Sequence, residues 1–202
     1  MDVNDRLTDK NFPADPEKTT LEGKNKFIGL WLFLGGETVL FASMFGTFLA
    51  LRDSSMEKEL FQLPLVFLMT MILLTSSLTS VYAMYHMKNN DFKKMQLWLT
   101  ITVLLGAAFI GIEIYEFSHY LHEGLGFTHS GFATSFYGLI GLHGAHVLFG
   151  VCWISALIIR NMKRGLNLYN APKYYVASLY WHFIDVVWVF IFTVVYLIGK
   201  LG

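Results

Sequence analysis

Long apolar runs separated by short polar connections dominate this chain of 202 residues. A membrane-spanning helix needs about 20 mostly apolar residues, because lipid offers the peptide backbone no hydrogen-bond partner. Five segments meet this requirement, so the pattern predicts an all-α integral membrane protein with five transmembrane helices. The predicted helices cover about residues 27–51, 63–86, 96–119, 132–159 and 176–199, and together they form one membrane domain, 27–202.

The first 26 residues form a polar arm that contains Pro13 and Pro16 and lacks the apolar stretch of a signal peptide. We interpret this arm as mostly irregular and cytoplasmic, although Thr20 and Glu22 could begin a short interfacial helix. The connections between the predicted helices are too short to hold a soluble active site. Any chemistry therefore lies in the membrane or belongs to a partner.

Basic residues are distributed unequally between the two ends of the predicted helices. Twelve Lys and Arg residues lie on the side of the N-terminal arm, and three lie on the opposite side. Short loops rich in Lys and Arg stay in the cytoplasm. The N-terminus is therefore predicted to be cytoplasmic and the C-terminus to be outside, in a bacterial cytoplasmic membrane or an equivalent organelle membrane.

The composition excludes several classes of protein. Apolar residues make up 54% of the chain and charged residues only 15%, against roughly 25% charged residues in soluble domains. Basic and acidic residues are equal in number, so no net field attracts nucleic acid. The single cysteine, Cys152, excludes an internal disulfide, a CxxC redox pair and a thiolate metal cage.

Seven ionisable residues inside the predicted helices are the candidate functional residues, because a charge in mid-bilayer costs roughly 2.5–3.5 kcal/mol. Each of them is either a proton-related group or a buried structural hydrogen-bonding group between helices. The seven are Glu37, Glu113, Glu116, His143, His146, His182 and Asp185.

Glu37 lies near the middle of the first predicted helix, with no basic residue within one turn. Burial away from cations favours the neutral acid over the carboxylate. We expect this neutral carboxyl to form a hydrogen bond across a helix interface, where Gly35 and Gly36 allow a second helix to approach closely. A protonatable group that reacts with carbodiimides is the alternative.

Four residues of metal-ligand type follow one another at helical spacing near the outer end of the third predicted helix: Glu113, Glu116, His119 and His122. A metal cluster is one interpretation. The favoured interpretation places the carboxyl groups near the membrane surface, where long side chains reach water easily. Tyr115 and Tyr120 would then mark the headgroup region.

His143 and His146 share one face of the fourth predicted helix, which is also lined by Gly138, Gly141 and Gly144. The HxxH spacing lacks the glutamate of a zinc-binding HExxH motif. We expect two neutral histidines that form hydrogen bonds across a close helix pair. At about 1.5 Å per residue, His143 and Glu113 lie at matching depths.

His182 and Asp185 lie one turn apart in the inner half of the fifth predicted helix. A carboxylate at this spacing can accept a hydrogen bond from the imidazole and fix its tautomer. A haem with two histidine ligands needs histidines on different helices at one depth. No good pair of this kind is present, so we expect no redox centre in the chain.

These features together resemble subunit III of the haem-copper terminal oxidases. The matching stretches, in the order found in the family, are WLFLGGETVLF at 31–41, EIYE at 113–116, GLHGAHV at 141–147 and YWHFIDVVW at 180–188. The chain is most similar to the short five-helix bacterial form, as in the caa3-type cytochrome c oxidases of bacilli. Menaquinol oxidases of the same bacteria are close relatives.

The resemblance implies a non-catalytic subunit of a proton-pumping cytochrome c oxidase. It implies no catalytic, cofactor-binding or metal-binding residue in this chain, with haem and copper in partner subunits. Subunit I is the expected direct partner, with subunit II and a small subunit IV in the complex, and no nucleic acid. The chain is expected to stabilise subunit I over many turnovers and to support proton uptake during the reduction of oxygen.

The resemblance also implies roles for two residues and a lipid site. Glu37 falls on the carbodiimide-reactive glutamate of the family, and Arg160 falls on an arginine that contacts a lipid phosphate in longer members. This chain lacks the two N-terminal helices that form one wall of the phospholipid cleft in those members. Another subunit would have to supply that wall.

Three alternatives to this function remain at this stage. The first is subunit III of a menaquinol oxidase. The second is a stand-alone proton or cation transporter that uses Glu37, Glu113 and Asp185. The third is a membrane electron carrier with its own haem or metal, which would show a visible spectrum as the purified chain.

Overall fold

A computed structural model describes residues 13, 15–52, 63–122, 126–127, 130–163 and 165–198. The elements in this part are α1 (Leu21–Ala50), α2 (Leu63–Lys88), α3 (Phe92–His122), α4 (Gly131–Asn161) and α5 (Ala171–Ile191), which continues as a π-helical segment (Phe192–Leu197). All five helices are long and apolar enough to cross a membrane, so the predicted all-helical membrane fold is confirmed.

Five of the basic residues on which the predicted membrane orientation depends lie outside the described residues. They are Arg6, Lys10, Lys58, Arg164 and Lys200.

Two helices begin at capping residues that precede the apolar runs. The Thr20 hydroxyl accepts a hydrogen bond from the backbone N–H of Gly23 at 3.0 Å, so α1 begins before the predicted start at Phe27. Ser130 caps α4 in the same way, through the N–H of Ala133 at 3.1 Å. Such caps satisfy orphan donors of the first turn. Each of these two helices therefore continues from its apolar span into the polar residues at its N-terminal end.

The helices α2, α3, α4 and α5 form a closed bundle in which each packs against its two neighbours, and α1 packs outside it against α4 and α5. Only five of the 30 residues of α1 are buried, and they are Gly23, Leu30, Leu34, Phe41 and Phe48. These residues form one narrow stripe. Most of the surface of α1 therefore faces away from the rest of the chain.

The glycines Gly35 and Gly36 lie on this outward surface of α1. A Cβ atom added to either would have no neighbour within 4 Å. No described helix of this chain therefore approaches these glycines closely, because α1 contacts the bundle through the stripe containing Leu34 and Phe41. A close helix at Gly35 and Gly36 stays a prediction.

Two tryptophans of α5 anchor the centre of the bundle. Trp181 packs against Gly106 of α3 and Gly150 of α4, where an added Cβ would come within 2.5 and 2.9 Å of the indole ring. Its Nε1–H donates to the Ser76 hydroxyl at 3.0 Å. Trp188 donates in the same way to Thr70 at 3.1 Å. Glycine on α3 and α4 and hydroxyl groups on α2 therefore create the space and the partners for two buried indoles.

The polar arm is attached to the C-terminal end of α2. The Lys88 ammonium donates a hydrogen bond to the Asp15 carboxylate at 3.0 Å and lies 3.7 Å from Glu17, whose side chain is fully buried. The ammonium lowers the pKa of Asp15, chiefly through the hydrogen bond. Asp15 is exposed, so this pair is expected to order the arm locally and to add little to global stability.

Acidification is expected to release this part of the arm. A carboxyl group with a lowered pKa stabilises the folded state above its unfolded pKa, and this contribution is lost as the pH falls through the lowered value. Hydrogen exchange of residues 15–20, corrected for intrinsic rates, should therefore accelerate as the pH falls below about 4, the ordinary pKa of an aspartate, and through the lowered value. In Asp15→Asn the exchange should already be fast at pH 5. Equal profiles for the two proteins would contradict this assignment.

Candidate functional site: polar groups between the helices

The first polar contact joins α1 to α4. The Nε2 atom of His146 lies 3.0 Å from the Oε2 atom of Glu37, and its Nδ1 atom lies 2.7 Å from the carbonyl oxygen of Leu142. A carbonyl oxygen only accepts hydrogen bonds, so Nδ1 carries a hydrogen atom. The remaining proton of the pair is then held either by Glu37, which donates to Nε2, or by an imidazolium that donates to the carboxylate.

The surroundings of the Glu37–His146 pair are largely apolar. Glu37 and His146 keep only 16% and 15% of their side chains exposed. The ring of Phe41 lies 5.2 Å from the imidazole, and the Tyr180 hydroxyl donates to the backbone carbonyl of His146 at 3.2 Å. The pair therefore connects α1 to α4 in a largely apolar setting.

Glu113 occupies a confined space between α3 and α4. Its side chain is buried, and a Cβ atom added to Gly144 would come within 2.5 Å of both carboxyl oxygens. Oε1 has no hydrogen-bond partner among the described residues. The absence of a side chain at Gly144 therefore creates the space for this carboxyl group, at the depth that the helical rise predicts.

Glu116 is also buried, and two phenols satisfy it. It accepts hydrogen bonds from Tyr120 at 2.6 Å and from Tyr196 of the π-helical segment at 3.4 Å. The prediction that Glu113 and Glu116 extend toward the membrane surface is therefore wrong, as is the placement of Tyr120 among the headgroups. The i, i+3 face that these residues share is turned into the bundle, whereas Tyr115 is 65% exposed.

His143 is fully buried and packs as an aromatic side chain. Its ring lies 5.1 Å from that of Trp188 and 5.8 Å from that of Phe109. Neither ring nitrogen has a hydrogen-bond partner among the described residues. Of the two histidines expected to form hydrogen bonds across a helix pair, His146 therefore does so and His143 does not.

His182 interacts with α2 rather than with its own helix. Its Nδ1 atom lies 2.6 Å from the hydroxyl of Ser77, which also interacts with the carboxyl group of Asp185. The predicted hydrogen bond between His182 and Asp185 is thus replaced by contacts through Ser77, because α2 places this residue between them. Ser77 was not among the predicted site residues, although a group of hydroxyl residues in an apolar helix typically marks a helix contact.

The described residues contain no group of three or more His, Cys, Asp or Glu side chains that could hold a metal ion. His119 and His122 thus do not join Glu113 and Glu116 in such a group. Five spanning helices with polar side chains enclosed between them define a multi-pass membrane protein. In the described part, these side chains connect helices rather than form an open reaction site.

Comparison with known proteins identifies the family. The family model of cytochrome c oxidase subunit III matches residues 4–200. The chain is 70% identical to cytochrome c oxidase subunit 3 of Bacillus sp. (strain PS3) and 69% identical to that of Bacillus subtilis (strain 168), over the whole length of both chains in each case. A probable quinol oxidase subunit 3 of Staphylococcus saprophyticus is 51% identical over 88% of this chain and 91% of that protein.

The chain therefore belongs to the cytochrome c oxidase subunit III family, and the resemblance stated from its motifs is confirmed. Membership of this family implies that the chain is part of an oxidase complex with other subunits.

The contact between Glu37 and His146 allows a test of two roles for Glu37. In Glu37→Gln the amide can donate to His146 Nε2, so we expect most of the initial oxygen consumption of the complex to be retained. In Glu37→Leu the imidazole loses its partner, which should cost about 1–3 kcal/mol and lower the amount of the subunit in the purified complex. Near-complete loss of initial activity in an intact Glu37→Gln complex would show that Glu37 is an essential proton carrier.

Proposed function

We propose that this chain is the non-catalytic subunit III of a proton-pumping cytochrome c oxidase in a bacterial cell membrane. In this proposal it binds subunit I directly, subunit II and a small subunit IV complete the complex, and haem and copper reside in those partners. The observation that carries the proposal is the full-length identity of 70% and 69% to two cytochrome c oxidase subunits. We propose that the N-terminus is cytoplasmic, and the excess of basic residues on that side supports this orientation.

The polar contacts support a stabilising role for the subunit. Glu37 and Glu116 are engaged in hydrogen bonds that connect α1 to α4 and α3 to the end of α5. Groups held in this way fix the arrangement of the helices. We propose that this fixed arrangement supports subunit I and proton uptake into it during the reduction of oxygen to water.

The same comparison supports a proposal for the electron donor. The cytochrome c oxidase relatives share more identity with the chain than the quinol oxidase relative does, so cytochrome c is the proposed donor and menaquinol is the alternative. The test is to purify the complex through a tag on this chain and supply each donor in turn. Oxygen consumption with reduced cytochrome c is expected. A complex that consumes oxygen with menaquinol but not with reduced cytochrome c would overturn the proposal.

A cluster of basic residues surrounds Tyr169 at the end of the bundle proposed to face the cytoplasm. The Nζ atom of Lys173 lies 3.4 Å from the centre of the Tyr169 ring, and that of Lys26 lies 5.2 Å from it. The hydrogen bond from Lys173 is the main cause of a lowered pKa of the Tyr169 hydroxyl, and the charge of Arg160 adds to this effect. Several cations around one phenol favour an anionic ligand such as a lipid phosphate.

A groove beside these cations could receive an acyl chain of the same lipid. It has a volume of about 260 Å³ and lies between α1, α4 and α5, and its lining consists of Leu30, Phe33, Phe149, Trp153 and Val176. We propose that Arg160 holds the lipid phosphate at the end of this groove. The guanidinium can bind phosphate through two hydrogen bonds, which a lysine ammonium cannot do in the same geometry.

Arg160→Lys is expected to loosen the lipid without preventing turnover. The oxidase should start at the normal rate, inactivate sooner and retain less co-purified phospholipid. The positive charge is kept, so the expected loss is that of one hydrogen bond to the phosphate, about 1 kcal/mol, which corresponds to roughly fivefold weaker retention. The control is Arg52→Lys, which makes the same exchange just after the C-terminal end of α1. This variant should behave as the wild type. Equal lifetimes and equal lipid content in Arg160→Lys would leave Arg160 as a topology anchor only.

A further inference from the structure

The end of α5 departs from α-helical geometry. The segment from Phe192 to Leu197 is π-helical, and the backbone N–H of Ile198 donates to the carbonyl oxygen of Thr193, five residues earlier. In an α-helix the acceptor lies four residues earlier. A π-helical turn therefore holds one residue more than an α-helical turn, and such turns are found frequently at functional sites.

The wide turn changes which side chains point into the bundle. At about 3.6 residues per turn, a residue eight positions after Trp188 would lie about 80° around the helix from it. Tyr196 holds this position, but both side chains are fully buried and their rings lie 6.3 Å apart. Val195, seven positions after Trp188, is fully buried as well. The π-helical turn therefore brings Tyr196 onto the buried face of α5 while Val195 also stays buried.

Tyr196 forms a hydrogen bond with Glu116 of α3 from this position. Its hydroxyl donates to one carboxyl oxygen at 3.4 Å, and the hydroxyl of Tyr120 donates to the other at 2.6 Å. Glu116 is 1% exposed, and a buried acceptor that loses a donor pays the cost of its desolvation. Tyr120 lies one turn from Glu116 on the same helix, whereas Tyr196 comes from the end of α5. The bond from Tyr196 is therefore the one that joins two helices.

Aromatic packing places the phenol of Tyr196 between helices. Its ring lies 6.2 Å from that of Phe136 on α4, in an edge-to-face arrangement. Tyr196 thus contacts α3 through its hydroxyl and α4 through its ring. Helices in lipid associate through close packing and hydrogen bonds, because lipid chains are as apolar as the helices themselves. Tyr196 supplies both kinds of contact at the end of the bundle where α5 ends.

We propose that the additional residue in the π-helical turn is a conformational lock for this end of the bundle. The residue widens the turn, the wide turn directs Tyr196 to Glu116, and the hydrogen bond fixes the end of α5 against α3. Without the additional residue, a continuous α-helix would place Tyr196 seven positions after Trp188, on the same buried face. The inference goes beyond the proposed function and is independent of the partner subunits.

Single-residue deletions in α5 test the lock. Thr193 is an exposed residue of the π-helical segment, and its deletion should convert the segment into an α-helix that keeps Tyr196 directed at Glu116. We expect the thermal unfolding temperature of the purified complex to stay within about 2 °C of the wild type. A structure of this complex should show the Tyr196 hydroxyl within hydrogen-bond distance of Glu116. Unchanged stability with Tyr196 turned away from Glu116 would overturn the proposal.

The matched control is the deletion of Val186, which is 54% exposed and lies before Trp188 on the same helix. This deletion turns Trp188 by about 100° around the helix, away from its hydrogen-bond partner Thr70. The unfolding temperature should therefore fall by roughly 6 °C or more. Equal losses from the deletions of Thr193 and Val186 would show that the π-helical turn holds no additional residue, and would overturn the proposal.

Two phenylalanine variants test the hydrogen bond itself. Tyr196→Phe removes the donor that comes from α5, and Tyr120→Phe removes the donor on α3, so each variant leaves Glu116 with one phenol. Only Tyr196→Phe separates α5 from α3. Hydrogen exchange of residues 192–198 in the intact complex should accelerate at least several-fold in Tyr196→Phe and stay at the wild-type rate in Tyr120→Phe. Equal exchange in the two variants would contradict the lock.

Discussion

Trp181→Ala is expected to destabilise the subunit by about 3–5 kcal/mol, the usual cost of removing a large buried aromatic side chain. Trp181 is 1% exposed, lies against Gly106 and Gly150, and donates a hydrogen bond to Ser76. The glycine surfaces cannot fill the space that the indole leaves, and the hydroxyl of Ser76 loses its donor. The thermal unfolding temperature of the purified complex and its content of this chain should both fall.

The same substitution at an exposed tryptophan provides the control for Trp181→Ala. Trp31 on α1 is 64% exposed, so Trp31→Ala removes little packing within this chain. We expect its unfolding temperature to stay close to that of the wild type. Similar losses in the two variants would show that the packing of Trp181 is not what stabilises the bundle.

Gly106→Ala is the second substitution with a large expected effect, because it adds a single methyl group in a closely packed place. The new Cβ would lie 2.5 Å from the indole of Trp181 and 2.9 Å from a methyl group of Val151. Overpacking of this kind costs about 1–3 kcal/mol, which exceeds the gain of up to about 1 kcal/mol from replacing glycine in a helix. The net result should be lower thermal stability of the complex.

Two further variants separate the steric effect from the helix effect. Gly111→Ala, on the same helix, adds a methyl group with nothing within 4 Å, so it should be neutral or slightly stabilising. Trp181→Phe with Gly106→Ala should be less destabilised than the sum of the single variants, because the smaller ring relieves the contact. Additive losses in the double variant would contradict the assigned clash.

The number of helices could be predicted from the sequence because each apolar run is long enough to span a bilayer. The beginning of α4 at Gly131 lies one residue from the predicted start. The beginning of α1 was less predictable, because Thr20 caps a helix that starts at Leu21 rather than at the predicted Phe27. The difference arises from local hydrogen bonds, which hydropathy does not register.

The polar side chains were identified from the sequence more reliably than their partners. Spacing along one helix gives depth, and the matching depths predicted for Glu113 and His143 agree with the contact between Glu113 and Gly144, the residue after His143. Spacing does not show whether a face of the helix points into the bundle or away from it, so the burial of Glu116 was not predicted. The contacts of Glu37 with His146 and of His182 with Ser77 join residues on different helices. Such contacts depend on how the helices are arranged, and no single-helix pattern contains that information.

Comparing oxidase complexes that contain and lack this chain tests the proposed function most directly. Haem and copper per subunit I, initial oxygen consumption with reduced cytochrome c, and the number of turnovers before inactivation would be measured for both. We predict equal haem and copper content, similar initial rates and a shorter active lifetime without the chain. Loss of haem or copper in proportion to the missing chain, or equal lifetimes of the two complexes, would contradict a non-catalytic, stabilising subunit III.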